Sequence, residues 1–315
     1  MAEGIKIATR ESFGKALCEL AKEHSDIVVL DADLAAATKT EIFKKEYPDR
    51  FFDCGIAEAN MIGVAAGLAA AGKVPFAASF AMFATGRAYE QVRNSVGYPH
   101  LNVKIAGSHA GISVGEDGAT HQCCEDIALM RTIPGMVILN PADHYEMVEA
   151  VKAAYAYEGP VYIRLGRLAI ESFNNPDSYS FEMGKGITLH EGNDITVIAT
   201  GLVVYESLKA VMKLAKQGLS VRLINMHTIK PIDKEIIKKA ATETGRIITV
   251  EEHSIIGGLG EAVCSVTSEF CPVPVKRIGI EDIYGHSGPA ADLIAEFGLD
   301  SESLAKRFAD FAATS

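Results

Sequence analysis

A glycine-rich stretch near the middle of the chain concentrates side chains that can bind hydroxyl groups and move protons. Residues 109–122 contain the imidazoles of His109 and His121 and the acids Glu116 and Asp117, together with three glycines. Ordered loops of this length in compact domains usually carry function, and the apolar flanks of this one indicate order. We therefore expect sugar-hydroxyl binding and proton transfer here. Metal binding is the competing interpretation, but the intervals match no ligand signature.

Two shorter segments offer an acid and an aromatic face. Glu58 begins a predicted helix of small apolar residues. It is either a first-turn acid that the helix dipole stabilises, or a carboxyl group in apolar surroundings whose raised pKa suits proton exchange. Phe80 and Phe83 are three residues apart, which fits core packing and also fits a stack against a flat heterocycle. Spacing alone leaves both alternatives open.

Arginines are the candidates for binding phosphate. Arg10, Arg164 and Arg167 adjoin predicted strand ends, and a guanidinium group matches the geometry of a phosphate. A solvated or ion-paired arginine is the more common outcome for any single one of them.

The elements that must position these side chains alternate between strands and helices. Strands are predicted at 27–30, 74–78, 103–106, 136–139 and 161–164, and helices at 12–23, 57–71 and 87–96. This alternation is typical of an α/β domain with a mostly parallel sheet. Ligands of such sheets lie beyond the carboxyl ends of the strands. The polar segments 31–33, 107–121 and 164–167 are therefore the expected site.

The length of 315 residues predicts two domains. The rhythm of the first domain stops at a turn-rich stretch, and a second alternation of short apolar and helical segments follows it. We predict a first domain at 1–172, a linker at 173–193 and a smaller α/β domain at 194–315.

Composition excludes several classes of protein. The chain carries 41 acidic and 30 basic side chains, a net charge of −11, which argues against a nucleic-acid or anionic-membrane surface. The first six residues lack the apolar core of a signal segment, and the longest mildly apolar stretch, 61–71, is too short to span a bilayer. A cytoplasmic protein is expected. The six cysteines are expected to be reduced thiols rather than disulfides or metal ligands.

Taken together and in this order, the motifs resemble transketolase. The resemblance runs from residues 8–10 to about Gly288 and rests above all on residues 115–122, which read Gly-Glu-Asp-Gly-Ala-Thr-His-Gln. The supporting motifs are 32–34, 55–58, Phe80-x-x-Phe83, 141–143 and 164–167. A one-chain transketolase has a diphosphate-binding domain, a pyrimidine-binding domain and a C-terminal domain, and this sequence matches only the last two. The resemblance therefore implies the C-terminal subunit of a split transketolase.

The resemblance also implies how the coenzyme, thiamine diphosphate, is held. Glu58 matches the catalytic glutamate that hydrogen-bonds the aminopyrimidine and promotes its imino tautomer. Phe83 matches the ring that stacks on the pyrimidine, with Phe80 beside it. Asp33 and Leu34 match residues near the thiazolium.

Substrate residues follow from the same matches. His121 matches the histidine at the terminal hydroxyl of the donor, and Asp117 matches the acid that reads a substrate hydroxyl. Arg10, His109 and Arg167 match the group that binds the substrate phosphate.

Two positions depart from the family pattern. Ala37 stands where a phosphate-contacting serine is common, and Gly86 replaces an aromatic residue. Phosphate affinity and substrate preference are therefore less firmly implied than the coenzyme chemistry.

The implied activity is transfer of a two-carbon ketol unit from a ketose phosphate to an aldose phosphate. No metal site is expected in this chain. The diphosphate and Mg²⁺ would be held by a separate N-terminal transketolase subunit in a two-plus-two heterotetramer. The alternatives are a beta subunit of a 2-oxoacid dehydrogenase, a deoxyxylulose-phosphate synthase fragment, and a non-catalytic binding or regulatory subunit. Residues 115–122 favour transketolase, and the retained Glu58, His121 and Arg167 argue against a non-catalytic role.

Overall fold

A computed structural model describes residues 5–313. The expectation about a signal segment rests partly on residues 1–4, and the second predicted domain includes residues 314–315; both lie outside this range. The described chain forms two large, mostly parallel sheets with helices packed on them and one two-stranded antiparallel sheet, so the predicted α/β class is confirmed. None of the helices in this range is both long and apolar enough to cross a membrane.

The first half of the chain alternates between strands and helices. In chain order its elements are β1 (Lys6–Ala8), α1 (Thr9–Ala21), β2 (Ile27–Asp31), α2 (Ala35–Thr38), α3 (Glu41–Glu46), β3 (Phe51–Asp53), α4 (Glu58–Ala70), β4 (Val74–Phe80), α5 (Tyr89–Gln91), β5 (Lys104–Ser108), α6 (Asp126–Arg131), β6 (Val137–Leu139), α7 (His144–Ala156), β7 (Val161–Arg164) and β8 (Ala169–Glu171). Two π-helical turns, Met82–Arg87 and Val92–Gly97, flank α5.

The second half continues the alternation. Its elements are β9 (Ile187–His190), β10 (Ile195–Ala199), α8 (Val203–Ala215), β11 (Val221–Asn225), β12 (Thr228–Lys230), α9 (Lys234–Thr244), β13 (Ile247–Ser254), α10 (Leu259–Phe270), β14 (Val275–Ile280), α11 (Ala290–Glu296) and α12 (Ser301–Ala313).

The first sheet has seven strands in the order β12-β6-β7-β5-β4-β2-β3. All of its neighbours pair in parallel except β12, which is antiparallel to β6. The chain runs from β2 outward to β3 and then returns to the other side of β2 to form β4. A crevice opens at such a reversal of strand order, beyond the carboxyl ends of the two strands. The segments after β2 and β4 therefore face a natural binding position.

The second sheet has five strands in the order β14-β13-β10-β11-β9. Its edge strand β9 lies within the predicted linker 173–193, so that segment is not structureless, and its pairing with β11 is antiparallel. β12 comes from the second predicted domain but completes the first sheet. Chain order and sheet membership therefore do not coincide, and the predicted domain boundaries stay a prediction.

The core of the first sheet follows from its continuous apolar strands. β2 and β4 are buried along their whole length, as parallel strands covered on both faces must be. Phe13 of α1 packs against Phe76 of β4 on one face, with ring centroids 6.2 Å apart. Met61 and Ile62 of α4 belong to the cluster on the opposite face. The small apolar helix predicted at 57–71 is therefore held directly behind the crevice.

The helix predicted at 87–96 is the main local difference from the sequence-based expectation. This region is one short α-helical turn between two π-helical turns. A π-helical turn contains an extra residue per turn, which shifts the following side chains around the helix axis and is frequent at functional sites. Helical periodicity assumes a constant repeat and cannot detect this shift.

Arg164 forms a buried ion pair within the first half of the chain and also bonds the second half. Arg164 at the end of β7 donates to both Asp126 oxygens, with Nε–Oδ2 at 2.8 Å and Nη2–Oδ1 at 3.1 Å. Its Nη2 also donates to the carbonyl oxygen of Glu252 in β13, at 2.9 Å. Burial, the largest single influence, raises the pKa of Asp126, but the Arg164 charge, the nearby His253 and the hydrogen bonds from Arg164 and Tyr162 together hold that pKa below its usual value. Arg164 is therefore buried and ion-paired, the more common outcome expected from sequence for a single arginine, and we assign it a structural role.

Replacing Arg164 tests this assignment. Arg164→Met should cost about 3–5 kcal/mol of unfolding free energy because it leaves the Asp126 charge buried without its partner. The control is Glu149→Gln, which removes an exposed ion pair with Lys152 and should leave stability unchanged. Chemical denaturation measures both variants. Equal stability of the two would contradict the structural role of Arg164.

Candidate active site

An open cleft lies at the crevice between β2 and β4. It measures about 500 Å³ and is lined by segments that follow the four neighbouring strands β5, β4, β2 and β3. The lining residues are Ala32, Asp33, Leu34, Ile56, Glu58, Phe83, Arg87, Thr120 and His121. The first three follow β2, the next two follow β3, and the next two lie on the π-helical turn after β4. Five residues predicted for the site, Asp33, Leu34, Glu58, Phe83 and His121, are therefore brought together.

Two aspartates at the ends of adjacent strands hold the loops that border the cleft. Asp31 and Asp53 are register partners in β2 and β3. Asp31 is buried and accepts hydrogen bonds from the Leu34 amide at 2.6 Å and from two threonine hydroxyls. Asp53 Oδ1 accepts from the backbone amides of Asp33 and Gly55, at 3.1 and 3.0 Å. The two carboxylates thereby fix the loops that carry the predicted coenzyme contacts, including the positive φ of 62° at Asp33.

Glu58 opens α4 and is only 2 % exposed. Arg87 Nη1 donates to both of its carboxylate oxygens, at 3.2 and 3.1 Å, and the Arg87 guanidinium lies over the Phe83 ring, 4.7 Å from its centroid. The sequence leaves open a first-turn acid or a carboxyl group in apolar surroundings; Glu58 is in the first turn and buried, and a cation that neither alternative included accompanies it.

Four rings form an aromatic cluster beside this pair. The rings of Phe80 and Phe83 are stacked, with centroids 5.9 Å apart, and Phe80 also stacks on His109 at 3.9 Å. His121 meets the edge of the cluster, 5.4 Å from Phe83. Phe80 is buried behind Phe83, so it is Phe83 whose ring lines the cleft. Phe80 thus packs in the interior and the Phe83 ring borders the cleft, while stacking of either ring on a heterocycle stays a prediction.

His109 is held neutral next to a cation. Arg10 Nη1 lies 3.1 Å from His109 Nε2 and donates to the Ala37 carbonyl at 2.7 Å. A guanidinium only donates hydrogen bonds, so Nε2 accepts and Nδ1 carries the proton, 2.8 Å from Ser108 Oγ. Burial, and after it the charges of Arg10 and Arg167, lowers the pKa of His109 to about 3. His109 is thus the member of the aromatic cluster that lies against Phe80 on the side away from the cleft, and neither it nor Arg10 lines the cleft.

Arg167 closes the far side of the glycine-rich loop. Its guanidinium pairs with Glu116 at 2.6 Å and bonds the Val114 carbonyl. Gly115 has φ 84°, and a Cβ there would lie 2.9 Å from Arg167 Nη1, so the loop requires glycine at this position. Asp117, at the tip of the same loop, is exposed and makes no hydrogen bond or ion pair with residues 5–313. Its substrate role stays a prediction.

The second half of the chain holds this loop in place. Glu252 of β13 is buried, and its Oε1 accepts the Ser113 amide at 2.7 Å. Gly111 has φ 81°, and a Cβ there would clash with the same oxygen. Gln122 Nε2 donates to the carbonyl oxygen of His286, at 2.9 Å. The loop that carries His109 and His121 is therefore fixed from β13 and from the segment before α11.

Sequence reasoning missed the residues that support the site from a distance. Arg87 was assigned only to a helix, Asp31 was included in the expected site only as part of segment 31–33, and Asp53 and Glu252 were given no role in the site. The sequence did contain a signal for Asp31 and Asp53. Each is an acid at the end of a strand, and acids at the ends of neighbouring parallel strands lie side by side. Glu252 contacts the loop across 139 positions of sequence, and no local pattern carries that information. Within the described range, no group of three or more His, Cys, Asp or Glu is arranged to hold a metal ion.

Comparison with protein families identifies two domains in this chain. A model of the transketolase pyrimidine-binding domain matches residues 5–171, and a model of the transketolase C-terminal domain matches residues 184–304. The chain belongs to the transketolase family. The resemblance to a C-terminal subunit of a split transketolase, predicted from residues 115–122 and the flanking motifs, is confirmed.

Similar proteins include both short and long transketolases. The chain is 52% identical over 306 residues to a "putative transketolase C-terminal section" of Methanocaldococcus jannaschii, covering 96% of each chain. It is 44% identical to one subunit of an apulose-4-phosphate transketolase of Phocaeicola vulgatus, covering 97% of each. It is 37% identical to Homo sapiens transketolase, covering 96% of this chain but 49% of that one.

A solved structure described as a split gene transketolase, inactive beta4 tetramer, has a TM-score of 0.90 and 49% identity, over 96% of this chain and 98% of that one. Transketolase from Campylobacter jejuni has a TM-score of 0.83 and 26% identity, over 98% of this chain and 48% of that one. The chain thus matches short relatives over nearly their whole length and one-chain transketolases over about half of theirs.

The protonation of His109 is directly measurable. Nitrogen NMR should find its ring neutral, with the proton on Nδ1, between about pH 5 and 8, where an unperturbed histidine titrates. Arg10→Ala should raise its pKa from about 3 without restoring the usual value, because burial, the larger cause, remains. Arg93→Ala, which removes an exposed arginine outside the cleft, is the control and should leave the titration unchanged. An ordinary titration of His109 in the wild type would contradict the assignment.

Proposed function

We propose that this chain is the C-terminal subunit of a two-chain transketolase. With an N-terminal partner it transfers a two-carbon ketol unit from a ketose phosphate to an aldose phosphate, using thiamine diphosphate. The observation that carries the proposal is the convergence of a buried carboxylate, Glu58, and a flat ring, Phe83, in one cleft at the strand-order reversal. His121 lies against the same ring.

The side chains present fit the aminopyrimidine of that coenzyme. Glu58 offers an acceptor for a ring N–H, and the Phe83 ring offers a plane for stacking. Glu58 then moves a proton to and from the pyrimidine, while Phe83 and Phe80 orient the ring and exclude water. When bound, thiamine diphosphate supplies the electron sink that breaking a carbon–carbon bond requires. His121 is proposed to bind the terminal hydroxyl of the donor, and Asp33 and Leu34 to lie at the thiazolium.

A positive region beside the cleft suits the substrate phosphate. The charges of Arg10, Arg167 and Lys39 all act on His109 and lower its pKa, so they are concentrated around one ring. A neutral imidazole and guanidinium groups can bind a phosphate together. The Ala37 carbonyl already accepts from Arg10, so the missing serine hydroxyl at that position removes one contact without removing the cation.

The diphosphate and Mg²⁺ are assigned to the partner subunit. Support comes from length, because the chain covers nearly all of its split relatives and about half of one-chain transketolases. The similar tetramer of beta chains is described as inactive, which accords with a requirement for a second type of chain. A two-plus-two assembly is the proposed active form.

Reconstitution tests the proposal. This chain and its N-terminal partner should each be inactive alone and should together transfer ketol units between xylulose 5-phosphate and ribose 5-phosphate when thiamine diphosphate and Mg²⁺ are added. Full activity of this chain by itself would refute the divided site. Decarboxylation of pyruvate in place of ketol transfer would instead support a 2-oxoacid dehydrogenase or a deoxyxylulose-phosphate synthase.

The role of Glu58 has its own test. In the reconstituted enzyme, Glu58→Gln should lower kcat by about 10²–10⁴-fold, the usual contribution of a positioned proton-transfer group. Glu235→Gln removes a glutamate from the first turn of another helix, where it is exposed and paired with Lys238, and should leave kcat unchanged. Unchanged turnover of Glu58→Gln would leave this chain in a binding or regulatory role.

A further inference from the structure

Arg87 makes the two contacts that the proposed coenzyme ring would need. Its Nη1 donates to both oxygens of Glu58, at 3.2 and 3.1 Å. The same guanidinium lies over the Phe83 ring at 4.7 Å from its centroid. The acceptor and the stacking surface of the pyrimidine position are therefore both in use by a residue of the chain itself.

A guanidinium resembles an aminopyrimidine in the features that matter at this position. Both are flat, both carry N–H donors in the plane of the group, and both stack on an aromatic face. They cannot share this site, because a ring stacked on Phe83 and bonded to Glu58 needs the space of the guanidinium. Thiamine diphosphate can therefore bind only after Arg87 has moved.

The local backbone makes this contact possible. Phe83 and Arg87 lie on the same π-helical turn, Met82–Arg87, directly after β4. In this turn the Arg87 side chain reaches back over the Phe83 ring toward the first residue of α4. The Arg87 side chain is 55% exposed, so it can swing into solvent without disturbing the core.

Glu58 explains why Arg87 is needed. Its carboxylate is 2 % exposed, and among residues 5–313 Arg87 supplies its hydrogen bonds. Leaving a buried carboxylate without a partner is costly. A cation that pairs with Glu58 in the free chain removes this cost, and a ring N–H donor takes over when the ring binds.

We propose that Arg87 is an internal substitute for the aminopyrimidine, which occupies the pyrimidine position of the free subunit and is displaced by thiamine diphosphate. Arg87 thereby lowers the coenzyme affinity of the assembled enzyme. This inference rests on the proposed function, because it assumes that Glu58 and Phe83 hold the coenzyme.

Calorimetric titration of the complex with thiamine diphosphate, at saturating Mg²⁺, measures the effect without relying on activity. The complex contains this chain and its N-terminal partner. Arg87→Ala should lower the Kd by about three- to tenfold, because an affinity reduced by a competing conformation recovers when that conformation is removed. Arg87→Lys keeps the charge but not the flat stacking group, and its Kd should lie between those of Arg87→Ala and the wild type.

The matched control is Arg93→Ala. Arg93 is exposed on the next π-helical turn. Among the described residues its guanidinium donates only to the side chain of its neighbour Asn94. Removing either arginine takes away one positive charge, which on electrostatic grounds alone would weaken binding of an anionic coenzyme. Tighter binding in Arg87→Ala with an unchanged Kd in Arg93→Ala therefore supports displacement specifically.

A second measurement on this chain alone tests the contact if Arg87→Ala does not assemble. In thermal unfolding, Arg87→Ala should lower Tm in the wild type but have little effect in a Glu58→Gln background, since the pair is then already broken. Equal losses of Tm in both backgrounds would overturn the proposal.

The titration separates the remaining outcomes. Unchanged or weaker binding by Arg87→Ala, with normal binding by the wild-type complex, would overturn this inference and leave the proposed function intact. No binding of thiamine diphosphate by the wild-type complex would overturn the proposed function and this inference with it.

Discussion

At the carboxyl ends of β2 and β4 the chain leaves in opposite directions, and every contact of the cleft depends on the crevice that this reversal opens. The two strands are buried along their whole length, so their ends are fixed relative to each other. Asp31 and Asp53 then convert the fixed strand ends into fixed loops, because their carboxylates accept the loop amides. Glu58 lies in the connection that follows β3 and Phe83 in the connection that follows β4, and the two meet because only β2 separates these strands in the sheet.

The site is also a product of two sheets rather than one. The Asp126–Arg164 pair is buried where the halves of the chain meet, and Glu252 from β13 accepts a backbone amide of the glycine-rich loop. Positive φ at Gly111 lets that loop pass close to the Glu252 carboxylate. The second half of the chain therefore helps to determine where His109 and His121 lie, since it anchors the loop between them.

Much of the first sheet could be predicted because a buried parallel strand is a continuous apolar run, which local sequence reveals. Glu58 was identifiable through the resemblance of segment 55–58 to transketolase, because its place at the start of an Ala- and Gly-rich helix also fitted a helix-stabilising acid. The pairing of the edge strand β12 with β6 was not predictable, since a long stretch of chain separates the two strands. Arg87 was hidden because a π-helical turn breaks the constant repeat on which helical periodicity depends. The acid and the ring could therefore be found from sequence, but the cation beside them could not.

A buried carboxylate in a coenzyme site must be compensated in both the free and the bound state. In the bound state a ring N–H can serve, but in the free state the chain must supply the donor itself or admit water. Glu58 is too buried for extensive hydration, and the cation that approaches it stacks on the same ring that the coenzyme would use. Under the proposed displacement, stability of the free subunit and affinity for the coenzyme oppose each other at Arg87. An exposed, flexible arginine balances the two, because it stabilises the acid and leaves the cleft at low conformational cost.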